Sequence, residues 1–207
     1  MLVEWRLIKH LPADVLLAFG TGLVETVRNA YSTPGRHYHT WAHIEACLQE
    51  AAPFTFDDAL TVYAALLFHD AIYVAGLKDN EARSAQLAIE ALRRHTPLSA
   101  ARIIQVEHLI LLTASHGDLP ASAGRDDQLM IDIDLSILAT PANVYDRYAA
   151  NVRLEWVPQV VSEEQYARGR AEFLRRMLAA PRIFHSMEFV DREAAARANI
   201  ARELASL

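Results

Sequence analysis

The chain has 207 residues, 52% of them hydrophobic, and a formal net charge of -6, which suffices for one substantial core. Its basic residues are scattered, so no electrostatic footprint for gripping a polyanion is present, and a small-molecule partner is expected rather than a nucleic acid polymer. The opening MLVEWRLIKHLPADV has no basic segment followed by an apolar run, no uncharged stretch approaches the roughly 18 residues needed to cross a bilayer, and the lone Cys47 permits neither an internal disulfide nor a cysteine-based zinc site.

A cytoplasmic protein without membrane attachment is therefore expected, and with no linker or charge block, residues 1–207 read as one domain. In chain order the apolar periodicity predicts helices from about Ala13 to Tyr31, Thr40 to Ala51, Asp57 to Tyr73, Asn80 to His95 and Ser99 to Thr113. Further helices are predicted from Asp126 to Leu138, Pro141 to Glu155, Ser162 to Leu178 and Ile183 to Leu204. Pro141 suits a first helical turn, and Thr96-Pro97-Leu98 and Ala180-Pro181-Arg182 read as breaks. Glycine and proline are sparse and alternating β-branched runs are hard to find, so the expected class is all-α.

Several polar residues interrupt this pattern. In HYHTWAHI, His39 precedes His43 by four residues. Both rings can share one helix face and one metal if the helix begins near His39. If it begins nearer Thr40, His43 points inward as a ligand and His39 stands at the mouth, within reach of a substrate. In AALLFHDAIYVAG, His69 and Asp70 break an apolar run, and a carboxylate taken into such surroundings needs an ion pair or a cation. In LMIDIDLSIL, Asp132 and Asp134 lie about 200° apart on a helix, so one is expected inside and the other near solvent, with capping or a buried arginine as the structural role for either.

In order, His43, His69-Asp70 and Asp134 resemble the signature of the HD superfamily of metal-dependent phosphohydrolases: a His, then a His-Asp pair, then a later Asp, all on helices. YHTWAH and IDLS are similar to the YHNWxH and ADLS stretches of the cyclic-nucleotide phosphodiesterase branch. Across Tyr31 to Leu204, the elements YHTWAHI, FHDAIY, DNEARSA, TASH, DIDLSIL and ARANI resemble, in the same order, those of a bacterial group of predicted metal-dependent HD phosphohydrolases. The chain departs from the phosphodiesterases in lacking a further His shortly after the His-Asp pair, and their purine pocket has no counterpart here.

The resemblance implies a single-domain helical bundle of the HD type that holds a divalent ion on His43, His69, Asp70 and Asp134. Two imidazoles and two carboxylates suit Mn, Fe, Co, Ni, Zn or Mg. The implied reaction is hydrolysis of a small, nucleotide-like phosphoester by a water that such an ion acidifies, with His39 as general acid. Glu81 is a candidate for orienting that water, or else part of an Asp79-Asn80-Glu81 helix cap. His116 is a candidate for contacting the metal-bound water or holding a second metal, or else a helix-terminal histidine. Arg36, Arg153, Arg168 and Arg170 are candidate phosphate clamps. The alternatives are a di-iron oxygenase, which the same superfamily contains, and a non-catalytic module binding a metal or nucleotide.

Overall fold

A computed structural model of the chain describes residues 10–115 and 118–207, and among them the secondary structure is entirely helical. At its centre is α3 (Ala59–Phe68), in which every residue from Thr61 to Phe68 is buried. A helix that is apolar on all sides must be wrapped by others. Here α1 (Ala13–Ala30), α2 (Trp41–Ala51), α4 (Asn80–His95), α5 (Ala100–Leu112) and α6 (Arg125–Asp134) all pack against it. Burying each Leu or Phe of α3 contributes roughly 1.5–3 kcal/mol.

A short 3-10 turn, Thr113–Ser115, follows α5, and another, Leu135–Ala139, follows α6. The remaining helices are α7 (Ala142–Trp156), α8 (Glu163–Ala179) and α9 (Glu193–Leu204), with a 3-10 turn over Met187–Arg192 before the last. Helix α8 rests on α9, which also packs on α7 and the Leu135–Ala139 turn. No helix among the described residues is long and apolar enough to cross a membrane.

The expected all-α class holds, and most helix boundaries fall within two residues of expectation. Three departures have clear causes. Helix α1 is kinked at Gly20, whose φ of 67° lies in the left-handed region that glycine tolerates. Helix α3 ends at Phe68 instead of Tyr73, because Ile72 gives its N–H to Ser84 Oγ and accepts that hydroxyl at its carbonyl, while the Asn80 side chain bonds both the N–H and the C=O of Val74. The stretch from Ile183 to Ser186 is not helical, since carboxylates capture its four successive N–H groups: Glu193 takes Ile183 and Phe184, and Asp132 takes His185 and Ser186. Pro141 sits one position before α7, as its N-cap.

Candidate metal centre

The His69 end of α3 is shaped by side chains that satisfy its last carbonyls, which a helix leaves unpaired. Tyr31 Oη donates to Leu67 O at 3.1 Å, and His69 Nδ1 lies 3.0 Å from Leu66 O. That carbonyl can only accept, so Nδ1 carries a proton and Nε2 is the nitrogen turned toward His43, Asp70 and Asp134. Arg36 reaches across from the segment before α2, its Nη1 donating to Asp70 O and His39 O and its Nη2 to Ala71 O. One guanidinium thus ties the HYHTWAH stretch to the His-Asp stretch.

Helix α2 starts at Trp41 with Thr40 as its N-cap, so His39 precedes the helix and His43 lies within it. His43 is buried and its Nε2 stands 3.1 Å from His69 Nε2. From α6, Asp134 brings Oδ1 to 3.2 Å of His43 Nε2 and 3.3 Å of His69 Nε2. Asp70 brings Oδ2 to 3.5 Å and 3.2 Å of the same two nitrogens. The ligand atoms of His43, His69 and Asp134 all lie within 4.8 Å of one another, a group that could hold a metal ion, and Asp70 adds a fourth donor beside it. Ligands about 2.1 Å from a common ion are spaced about 3.0 Å at right angles and about 3.4 Å at tetrahedral angles, so the spacings among His43, His69 and Asp134 fit a divalent ion, with Asp70 3.2–3.5 Å from both imidazoles beside them.

Burial works against charge on Asp70, but the imidazoles of His69 and His39 outweigh it and hold the carboxyl well below its usual range. Asp134 is likewise depressed against burial, by His69 and His43. His69 is shifted up, its burial overcome by Asp70 and Asp134. Both carboxylates are thus ionised and available as ligands at neutral pH.

The alternative in which His39 stands outside the helix is the one observed. Its Nδ1 is 2.6 Å from Glu155 Oε2, and its ring stacks on Tyr73 with centroids 3.8 Å apart. Glu155, fully buried on α7, accepts the backbone N–H groups of His37, Tyr38 and His39 at Oε1. The His39 nitrogen left uncommitted by Glu155 is Nε2. Burial disfavours the His39 imidazolium, but Asp70 and the hydrogen bond to Glu155 raise its pKa above the ordinary value. Sequence reasoning missed Glu155; the only available sign was a carboxylate facing inward at the end of an amphipathic helix.

His39, His69, Asp70 and Asp134 line one cavity of about 430 Å³, together with Glu81. Glu81 is in the first turn of α4, whose N-cap Asp79 makes no side-chain cap bond. The expected Asp79-Asn80-Glu81 cap is therefore not formed as such: Asn80 holds the preceding loop instead. His116 lies outside the described residues. Asp132 is fully buried and faces away from the cavity, accepting His185 N, Ser186 N and Ser186 Oγ at 2.6–2.8 Å. Of the pair, Asp132 is the inside member, while Asp134 is partly exposed on the cavity wall.

The candidate phosphate clamps are otherwise engaged or elsewhere. Arg36 binds carbonyls, Arg153 pairs with Glu163, Arg170 pairs with Glu203, and Arg168 is exposed and does not line the cavity. His37 is exposed and its side chain takes no part in the cluster. The sequence was compared with family models and with curated proteins, and it matches none of either.

Proposed function

We propose that the protein is a metal-dependent phosphohydrolase acting on a phosphoester in a small, nucleotide-sized substrate. One observation carries this reading: the Nε2 atoms of His43 and His69 stand 3.1 Å apart, and each lies 3.2–3.5 Å from a carboxylate oxygen of Asp70 and of Asp134, beside a cavity that also contains an oriented histidine. A divalent ion there supplies Lewis acidity toward a phosphoryl oxygen and lowers the pKa of water.

The chain's own residues do the rest. Arg36 fixes the backbones that carry His39 and Asp70 relative to each other. Glu155 fixes the His39 ring and favours its protonated form, so His39 Nε2 donates a proton to the leaving oxygen. Glu81, on the cavity wall, orients water or substrate. The aromatic lining from Tyr73, Tyr148, Trp156 and Phe173 excludes water from the organic part of the substrate. We place the protein in the cytoplasm, consistent with its single, buried, reduced Cys47.

The test is a screen of the purified full chain, loaded in turn with Mn, Fe, Co, Ni, Zn or Mg, against phosphomonoesters, cyclic nucleotides and nucleoside triphosphates. Release of phosphate or of the free alcohol, lost in Asp70→Ala, is expected for at least one class. Inactivity with every metal rejects the reading, and one ion per chain by elemental analysis rejects a di-iron oxygenase.

A further inference from the structure

The cavity beside the metal group is lined asymmetrically in charge. Its three carboxylates, Asp70, Glu81 and Asp134, come from the end of α3 and from α4 and α6, whereas both of its guanidiniums, Arg170 and Arg176, come from α8. Helix α8 presents Gln165, Tyr166, Gly169, Arg170, Phe173 and Arg176 to the cavity, spacings of three and four that gather them on one face. The two cations on that face are not equivalent. Arg170 is buried and bonded twice to Glu203, at 2.8 and 3.0 Å, with Tyr148 Oη at 3.4 Å from its Nη1. Arg176 is exposed, and its side chain has no partner among the described residues.

Two further features of this wall have no explanation in the packing of the protein. Gly169 lies inside α8, where glycine weakens a helix relative to alanine, yet a Cβ built there would meet no atom within 4 Å. Glycine is not required by a close neighbour; its effect is to keep the wall open at that point. Tyr166 is buried, its ring lines the cavity, and its hydroxyl has no hydrogen-bond partner among the described residues. Buried hydroxyls are almost always paired. Burial pushes its pKa up to about 12, which keeps it a donor at neutral pH.

We propose that this face of α8 binds the leaving-group end of the substrate and that this end is acidic, so that the substrate is a phosphoester carrying a second anionic group, met by Arg176, with its connecting chain passing the open wall at Gly169. The inference rests on the phosphoester reading above, which assigns the phosphoryl group to the metal-holding part of the cavity. Arg170, already neutralised by Glu203, braces the wall and Arg176 supplies its net charge.

Non-hydrolysable phosphonates test this without relying on turnover. Phosphonoalkanoates of graded chain length, each with a terminal carboxylate, are titrated calorimetrically into the metal-loaded full chain beside phosphonoalcohols of equal length and inorganic phosphate. At one length or more, the carboxylate is expected to bind about tenfold tighter than the alcohol, as suits one charge-assisted contact with arginine. Arg176→Gln should bring that ratio to about one with the alcohol's affinity unchanged, and Gly169→Leu should weaken both series while leaving inorganic phosphate binding intact. Equal binding of carboxylate and alcohol at every length, with inorganic phosphate still bound, overturns the inference and leaves the phosphoester reading standing, as does a carboxylate preference that survives Arg176→Gln. Failure of inorganic phosphate and of every phosphonate to bind overturns both.

Discussion

Asp132 and Asp134 stand two residues apart in α6 and serve different ends. Replacing Asp132 with Ala strands the N–H groups of His185 and Ser186 and the Ser186 hydroxyl, at a cost of about 2–4 kcal/mol measurable by urea unfolding, with metal content unchanged. Asp134→Ala should abolish metal uptake while the helical circular dichroism and the contacts of Asp132 with His185 and Ser186 are retained. Equal metal loss in both variants would refute this division. At Glu155 the effect is one of pH. Its carboxyl is held below its usual range, because the hydrogen bonds from His39 and the backbone outweigh burial, so its stabilisation is complete above about pH 4.3 and is lost as pH falls through the lowered value. His39 is shifted up, so its stabilisation is complete below about pH 6.5 and is lost as pH rises through the raised value. In EDTA, the destabilisation caused by Glu155→Gln should therefore be greatest between about pH 4.3 and 6.5 and shrink on both sides. A flat difference curve would show that the pair is not coupled in this way.

At the scale of elements, the decisive feature is how α3 stops. An apolar helix would run on through Ala71 and Ile72 had Ser84 and Asn80 not captured the backbone beyond it. The motif DNEARSA thus reads structurally as a clamp on the loop that carries Asp70 away from the helix axis and toward His43. Asn80→Ala removes one acceptor and two donors and should cost about 1–3 kcal/mol. Hydrogen exchange should accelerate at Val74 to Leu77 more than in α3, and metal affinity should fall with it. Unchanged exchange in the loop would mean that Arg36, bonded to Asp70 O and Ala71 O, holds it unaided.

For the whole molecule, a bound ion is a cross-link among α2, the end of α3 and α6, three elements distant in sequence. Metal at about 100 times its Kd should stabilise the fold by about 2.7 kcal/mol, which for a chain of this size raises Tm by roughly 5–11 °C. Calorimetry with each divalent ion against EDTA measures this, and the shift should vanish in Asp70→Ala. No shift with any metal would leave the cluster a set of buried ion pairs.

The sequence alone determined the all-helical class and most helix boundaries, because apolar periodicity and the placement of Pro and Gly are local properties of the chain. It also singled out His69, Asp70 and the pair Asp132 and Asp134, since charge set into apolar runs demands compensation wherever the fold puts it, whereas His43 and the choice of Asp134 over Asp132 came from the resemblance to the HD signature. Only the tertiary structure decided that His43, His69, Asp70 and Asp134 meet, that Asp132 turns away from them, and that His39 lies outside the helix in the grip of Glu155. It likewise brought Arg176, which has no side-chain partner among the described residues, to the same cavity as the metal group. Each of those facts depends on contacts between residues as many as 118 positions apart, and no short-range pattern encodes which buried carboxylate will find which distant donor.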